Sequence, residues 1–309
     1  MFPLLCALFV YVSSALDVNS WYVGKNTTDY SLEDIRWDIY TSITTGQPKI
    51  LPDGTAICDP DDFFQTIRSI AEAHNTNIIW HLPINNLLTK VEHRYNLLNS
   101  IATAVKECRV SGLEIDHEAP MGISQDAKNY TQVMADLYWA MGDNYTVGAD
   151  VGVFGIDRGS YPLGIEPWID IDIFQKTPGL YVNTMSYHHN RDCSIFPWKV
   201  DYFFLTRLWN IPVDRINLGV PLFNYKFSNN GKISSEPTDH TLSERCPDLP
   251  PDVCVCDGVY FISPNMAYEL GVFIRKEHFR GVFPWAANYD SIQYPLIDYI
   301  AQGFSATSL

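Results

Sequence analysis

The sequence predicts an α/β fold of the (β/α)8 kind, a TIM barrel, with a disulfide-stapled loop insertion after the seventh strand. Three observations carry that expectation. Eight short β-like runs alternate with longer amphipathic segments along the 309 residues, the alternation that builds a parallel sheet covered by helices. No G-x-G-x-x-G or G-x-x-x-x-G-K-[ST] occurs, which removes the phosphate-cradling turn of a doubly wound open sheet. One run, "VSGLEIDHEAP" at 110–120, carries an acid at every second position of an otherwise apolar strand, and inward strand positions are where a barrel keeps its chemistry.

Taken in order, the first strand is "NSWYVG" (19–24) and the second "WDIYTSI" (37–43). "PDDFFQTIRSIAEAHN" has an Asp near its start and apolar residues at helical spacing. "NIIWHL" (77–82) is the third strand, and "HRYNLLNSIATAVKEC" is an amphipathic helix leading into the acidic fourth strand. The next helix starts near Ser124, a suitable N-cap. "TVGADVGVFG" (146–155) and "LYVNTMSYHH" (180–189) are the fifth and sixth strands, and "VDYFFLTRLWN" is helical. "RINLGVPLFNY" (215–225) is the seventh strand. Ser263 and Pro264 then open a helix, "GVFPWAANYD" (281–290) is the eighth strand, and "YPLIDYIAQG" closes the chain. The longest irregular stretch, 227–258, is expected to be a loop over the barrel mouth.

The chain starts with an uncharged apolar stretch, "FPLLCALFVYV", followed by Ser13, Ser14 and Ala15. That pattern predicts a signal peptide over 1–15, a single domain over 16–309 and a location in the secretory pathway, lysosomal or extracellular. It is too short for a membrane anchor, which needs ~20 apolar residues. The sequons at Asn26, Asn129 and Asn144 agree with secretion. So does the even set of Cys58, Cys108, Cys193, Cys246, Cys254 and Cys256, read as disulfides whose pairing the sequence leaves open. A formal charge of −15 argues against nucleic acid and anionic membrane as partners.

On a strand, Glu114, Asp116 and Glu118 share one face while Leu113, Ile115 and His117 take the other. Carboxyl groups so close raise one another's pKa, so at least one is expected to hold a proton near neutral pH, a property useful in acid catalysis. Among the tryptophans, Trp21, Trp80, Trp139, Trp168, Trp198 and Trp209 are read as packing residues. His188 and His189 point to opposite faces of a strand, so no metal site is expected there.

"GLEIDHE" resembles the D-x-x-D-x-D-x-E strand of the glycoside hydrolase family 18 chitinases, and within that family the di-N-acetylchitobiase branch. "MSYHH" (185–189) is similar to its M-x-Y-D motif, "LGVPLFNYKF" (218–227) to its seventh-strand motif, and "FRGVFPWAANYD" (279–290) to its eighth. "GADVGVF" follows the fifth-strand pattern, with Asp150 at an acidic position. The resemblance covers most of the chain.

It implies that Glu118 is the general acid, that Asp116 orients the substrate's N-acetyl group and that Tyr187 hydrogen-bonds the acetamide. Trp285 becomes the floor under the sugar, with Glu114, His188 and Asp150 around it. The implied reaction is retaining and substrate-assisted hydrolysis of β-1,4-linked N-acetylglucosamine, in chitin oligosaccharides or the chitobiose core of N-glycans. A monomer without cofactor or metal is expected, with those glycans as its partners. The chain departs from the pattern at Ser111, Glu114, His117, His188 and Pro284. These departures keep a second class open: a chitinase-like barrel that binds glycans without cutting them.

Overall fold

The structure, a computed structural model, describes residues 15–24, 31–82, 91–116, 124–151, 173, 177–185, 197–208, 210–227, 233–236, 246, 250–292 and 294–306. With strands numbered in chain order, eight of them close into a parallel barrel. They are β1 (Asp17–Trp21), β2 (Ser42–Thr44), β5 (Asn77–His81), β6 (Gly112–Asp116), β7 (Thr146–Val151), β8 (Tyr181–Thr184), β9 (Ile216–Pro221) and β14 (Gly281–Trp285), which pairs back onto β1. Every ladder in the ring is parallel. The expected (β/α)8 barrel is therefore the fold.

Period-two alternation decides which side chains go where. Val18, Ile43, Trp80, Leu113, Ile115, Val147, Ala149 and Val182 are buried beneath the helices. The helices meet them with matching stripes: Phe64, Ile67 and Ala71 from α1 (Asp62–His74), and Leu97, Ile101, Ala104 and Val105 from α2 (Val91–Glu107). From α3 (Ser124–Met141) come Tyr130, Val133, Met134 and Leu137. Asp61 caps α1 by accepting from the Phe64 amide at 2.8 Å. The helix Pro264–Glu277 is capped by Ser263, with Pro264 in its first turn, where the sequence put them. That helix lies tightly on Leu296–Ser305, because Gly271 and Gly303 let the backbones touch. A Cβ on Gly271 would sit 2.0 Å from the Ile300 carbonyl oxygen.

Several expected boundaries move. The second strand begins at Ser42, because residues 37–40 form a turn. The Thr76 hydroxyl ties that turn down by donating to the Trp37 and Tyr40 carbonyls. The seventh run is two strands. β9 stops at Pro221, and β10 (Asn224–Phe227) leaves to form an antiparallel sheet with β11 (Ile233–Glu236), β13 (Val259–Tyr260) and β12 (Val255–Cys256). The insertion expected to be irregular thus contains a four-stranded sheet. The eighth strand ends at Trp285 and passes into a short turn of 3-10 helix, Ala287–Tyr289. The acidic stretch near 53–62 includes β4 (Ala56–Ile57), which pairs with β3 (Lys49–Ile50).

Disulfides join Cys58 to Cys108 and Cys246 to Cys256, the latter stapling the insertion. Asn144 is exposed in the turn before β7, open to modification. Asn26, the first fourteen residues of the expected signal segment, and His188 and His189 lie outside the described residues. No helix among the described residues is long and apolar enough to cross a membrane.

Candidate active site

Barrels are ordinarily filled by branched apolar side chains. This one is filled by polar groups: Asn19, Ser42, Thr44, Glu114, Asp150, Asn183 and Asn217 are all buried. At its centre is Glu114, fully buried, whose carboxyl accepts hydrogen bonds from several neighbouring strands. Asn19 Nδ2 donates to Oε2 at 2.6 Å, the Thr44 hydroxyl at 3.0 Å and the Tyr181 hydroxyl at 3.5 Å. Trp21 Nε1 donates to Oε1. Gly148, the register partner of Glu114, makes room for the Tyr181 ring, since a Cβ there would lie 2.3 Å from its Cζ.

A second line of hydrogen bonds climbs the barrel beside it. Arg280 donates to Asp17 at 2.7 Å and lies 4.6 Å over the Tyr181 ring. Asn217 Nδ2 donates to Asp17 at 3.4 Å and to Asn183 Oδ1 at 3.1 Å. Asn183 Nδ2 then donates to Asp150 Oδ1 at 3.0 Å. Asp150 is also hydrogen-bonded to Glu114.

The electrostatics follow from this packing. Burial pushes Asp150 well above the usual carboxylate range, and the charges of Glu114 and Asp116 add to the effect. Burial raises Glu114 as well, opposed by hydrogen bonds from Asn19, Trp21, Thr44 and Asn183. The two buried groups cannot both ionise, and the one surrounded by donors is Glu114. Between them the pair holds a proton.

Asp116 ends β6 one step above Glu114 on the same face, opposite Asp150 in the ladder, and is partly exposed. Around this level is an aromatic wall. The Trp21 ring packs 4.7 Å from His81 and 5.2 Å from Trp285, centroid to centroid. Trp285 stands 6.3 Å from Phe283 below it. His81 ends β5 in register with Glu114, and burial lowers its pKa to about 4, so the imidazole is neutral over most of the acidic range.

The sequence-derived residues divide into three groups. Asp116 and Trp285 come to the C-terminal mouth of the barrel. Glu114 and Asp150, expected around the sugar, are buried inside the barrel, 0% and 1% exposed. Glu118, Tyr187, His188 and His117 lie outside the described residues.

Sequence reasoning missed Trp21, read as a packing residue, and His81. Their signal was position: each is the last residue of a barrel strand, at the face where barrel sites form. Trp80 points the other way, 2% exposed and packed 6.2 Å from Phe64 under α1. Among the described residues no group of three or more His, Cys, Asp or Glu is arranged to hold a metal ion.

The sequence matches no family model and no curated protein. Solved structures do match it closely in shape. A chitinase from Bacteroides thetaiotaomicron superposes with a TM-score of 0.75 at 16% identity, over 94% of this chain and 97% of that one. A GH18 chitinase from Cycas revoluta in complex with (GlcNAc)3 gives 0.72 at 14%, over 94% and 100%. One from Chromobacterium violaceum gives 0.71 at 14%, over 94% and 100%. At this identity the likeness establishes the architecture: the chain carries, over nearly its whole length, the (β/α)8 barrel that these chitinases share.

Proposed function

We propose that this protein is a glycoside hydrolase acting on β-1,4-linked N-acetylglucosamine. The observation that carries the reading is the arrangement at the end of β6. Asp116 stands over the buried Glu114–Asp150 pair and beside a wall of Trp21, His81 and Trp285. The chitinase shape of the barrel supports the same substrate class, and three of the similar structures are described as complexes with GlcNAc oligomers.

In this reading the apolar face of a pyranose stacks on Trp285 and Trp21. Glu118, two positions beyond Asp116, protonates the leaving glycosidic oxygen. The substrate's acetamide oxygen attacks the anomeric carbon as the bond to the protonated leaving oxygen breaks, giving a cyclic intermediate; water then attacks the same carbon, reopening the ring and passing its proton to Glu118, with retention. Asp116 holds the acetamide N–H and offsets the positive charge that develops, and Tyr187 binds the acetamide oxygen. No second carboxylate nucleophile is required. The buried pair keeps one fixed negative charge beneath Asp116, which favours cationic character at the reacting centre.

The narrower substrate is a short chitin oligosaccharide or the chitobiose core of an N-glycan, as the di-N-acetylchitobiase likeness suggests. Secretion through a signal peptide over 1–15 to a lysosomal or extracellular site is part of the proposal. Two disulfides support an oxidising route.

A second reading is a glycan-binding barrel without turnover. The Trp21–Trp285–His81 wall favours it, since stacking needs no acid. One experiment separates the two. Wild type and Glu118→Gln are assayed on a fluorogenic chitobioside and on chitin oligosaccharides from pH 3 to 8, with binding followed calorimetrically. Turnover that collapses in the variant supports the hydrolase. Binding without turnover in both overturns it in favour of the lectin, and absence of binding overturns the substrate class.

A further inference from the structure

We propose that Asp150 is a positioning residue for Asp116: bridging Asn183 and Glu114 from the neighbouring strand, it fixes the polar floor on which Asp116 stands. This role rests on the hydrolase reading.

The geometry assigns every donor around Asp150. Asn183 Oδ1 accepts from Asn217 Nδ2 at 3.1 Å and from Asn19 Nδ2 at 3.4 Å. Two donors on that oxygen fix the orientation of the amide. Asn183 must therefore present Nδ2 to Asp150, and Asp150 Oδ1 is an acceptor. The other neighbour, Glu114, is an acceptor towards Asn19, Trp21, Thr44 and Tyr181. A hydrogen bond between Asp150 and Glu114 then has only one possible donor, the second oxygen of Asp150 carrying a proton.

The charged and titratable surroundings agree. Glu114 and Asp116 face Asp150 from β6, Tyr181 from β8 and Tyr130 from α3. Arg280 is committed to Asp17, and among the described residues no Lys or Arg pairs with Glu114 or Asp150. With no Lys or Arg beside them among the described residues, the buried Glu114 and Asp150 are compatible only if a hydrogen-bonded proton is shared between them. Asp150 supplies that proton from a strand other than the one bearing the acids. It sits directly across the ladder from Asp116, and the two carboxyls interact electrostatically, so its loss is felt at Asp116. An Asn at 150 reproduces the arrangement, its oxygen accepting from Asn183 and its amide donating to Glu114. An Ala leaves Glu114 one donor short and opens a gap beneath Asp116.

The test uses the full chain as wild type, Asp150→Asn and Asp150→Ala. Steady-state hydrolysis of a fluorogenic chitobioside and infrared difference spectra near pH 6 are measured on each. For Asp150→Ala the expected result is a fall in kcat of at least 30-fold with KM changed less than threefold. Asp150→Asn restores kcat to within about fivefold. A protonated-carboxyl band appears in the wild-type-minus-Asp150→Asn difference spectrum, in which the contribution of Asp290, also protonated near pH 6, cancels. An active wild type with Asp150→Ala at wild-type kcat would overturn the positioning role, and so would a difference spectrum without that band. A wild type that shows no turnover overturns the hydrolase reading first, and this role with it. The two failures are therefore told apart by the wild type alone.

Discussion

Glu114→Gln is the perturbation that most directly examines the buried network. Besides Asp150, four donors reach the Glu114 oxygens: Trp21 at Oε1, and Asn19, Thr44 and Tyr181 at Oε2. A glutamine of the same shape replaces one oxygen by an NH2 group. Placed at the Oε2 position, it would face three donors. Placed at the Oε1 position it faces the Trp21 indole, so either placement sets an amide donor against a donor that the carboxylate accepted. An unsatisfied buried donor costs about 1–3 kcal/mol, and the charge lost from the remaining bonds adds to that.

We expect destabilisation of about 2–4 kcal/mol, or roughly 3–7 °C in melting temperature for a domain of this size. Trp21 is freed from the acid, so its fluorescence should shift as well. The check is urea unfolding at pH 6, followed by circular dichroism and tryptophan emission, with Asp150→Asn as the comparison. Asp150→Asn keeps its hydrogen bonds and should cost less than about 1 kcal/mol. Equal stability of Glu114→Gln and wild type would refute the argument, because it would mean that Glu114 already carries the proton assigned to Asp150.

Three further predictions follow from the same structure. Asp290, 1% exposed, accepts from the Ser291, Leu296 and Ile297 amides, and burial raises its pKa from 3.8 to about 7. An acid raised on folding stabilises fully below its unfolded pKa and loses that contribution as pH rises through the folded value. Stability should therefore fall between about pH 4 and pH 7 by up to ~1.4 kcal/mol per unit, and Asp290→Asn should flatten the slope in pH-dependent melting curves. Gly271→Ala puts a Cβ 2.0 Å from the Ile300 carbonyl oxygen, forcing two helices apart at a cost of about 1–3 kcal/mol in urea unfolding. Replacing Cys58 and Cys108 by Ala removes a link across 50 residues, worth about 4 kcal/mol by loop entropy; unfolding midpoints of wild type and double variant, both non-reduced, measure it.

Much of this was legible along the chain. The alternation of runs sufficed for a barrel, because a strand buried on both faces and an amphipathic helix leave different periods. The two-residue spacing of Glu114 and Asp116 put them on one face, and the strand geometry admits no other arrangement. Ser263 and Pro264 announced their helix by cap chemistry alone.

The places where reading failed share a cause. The second strand starts late because Thr76 ties down the turn before it, a contact 36 or more residues away. Asn224 and Tyr225 end the run read as the seventh strand, yet they pair with the insertion rather than the barrel. Trp21 and Trp80 both end or nearly end a strand. Only the orientation of each strand in the ring sends one to the mouth and the other under α1.

The sequence by itself determined which residue types would share a face, because that depends on a local repeat of two or 3.6 residues. The tertiary structure alone decided what each carboxyl does. Glu114 holds a charge because Asn19, Trp21, Thr44 and Tyr181 arrive from three other strands. Asp150 holds a proton because Asn183 and Glu114 leave it no other part. Such assignments depend on which donors closure of the barrel brings within 3.5 Å, and those donors come from residues up to 95 positions apart.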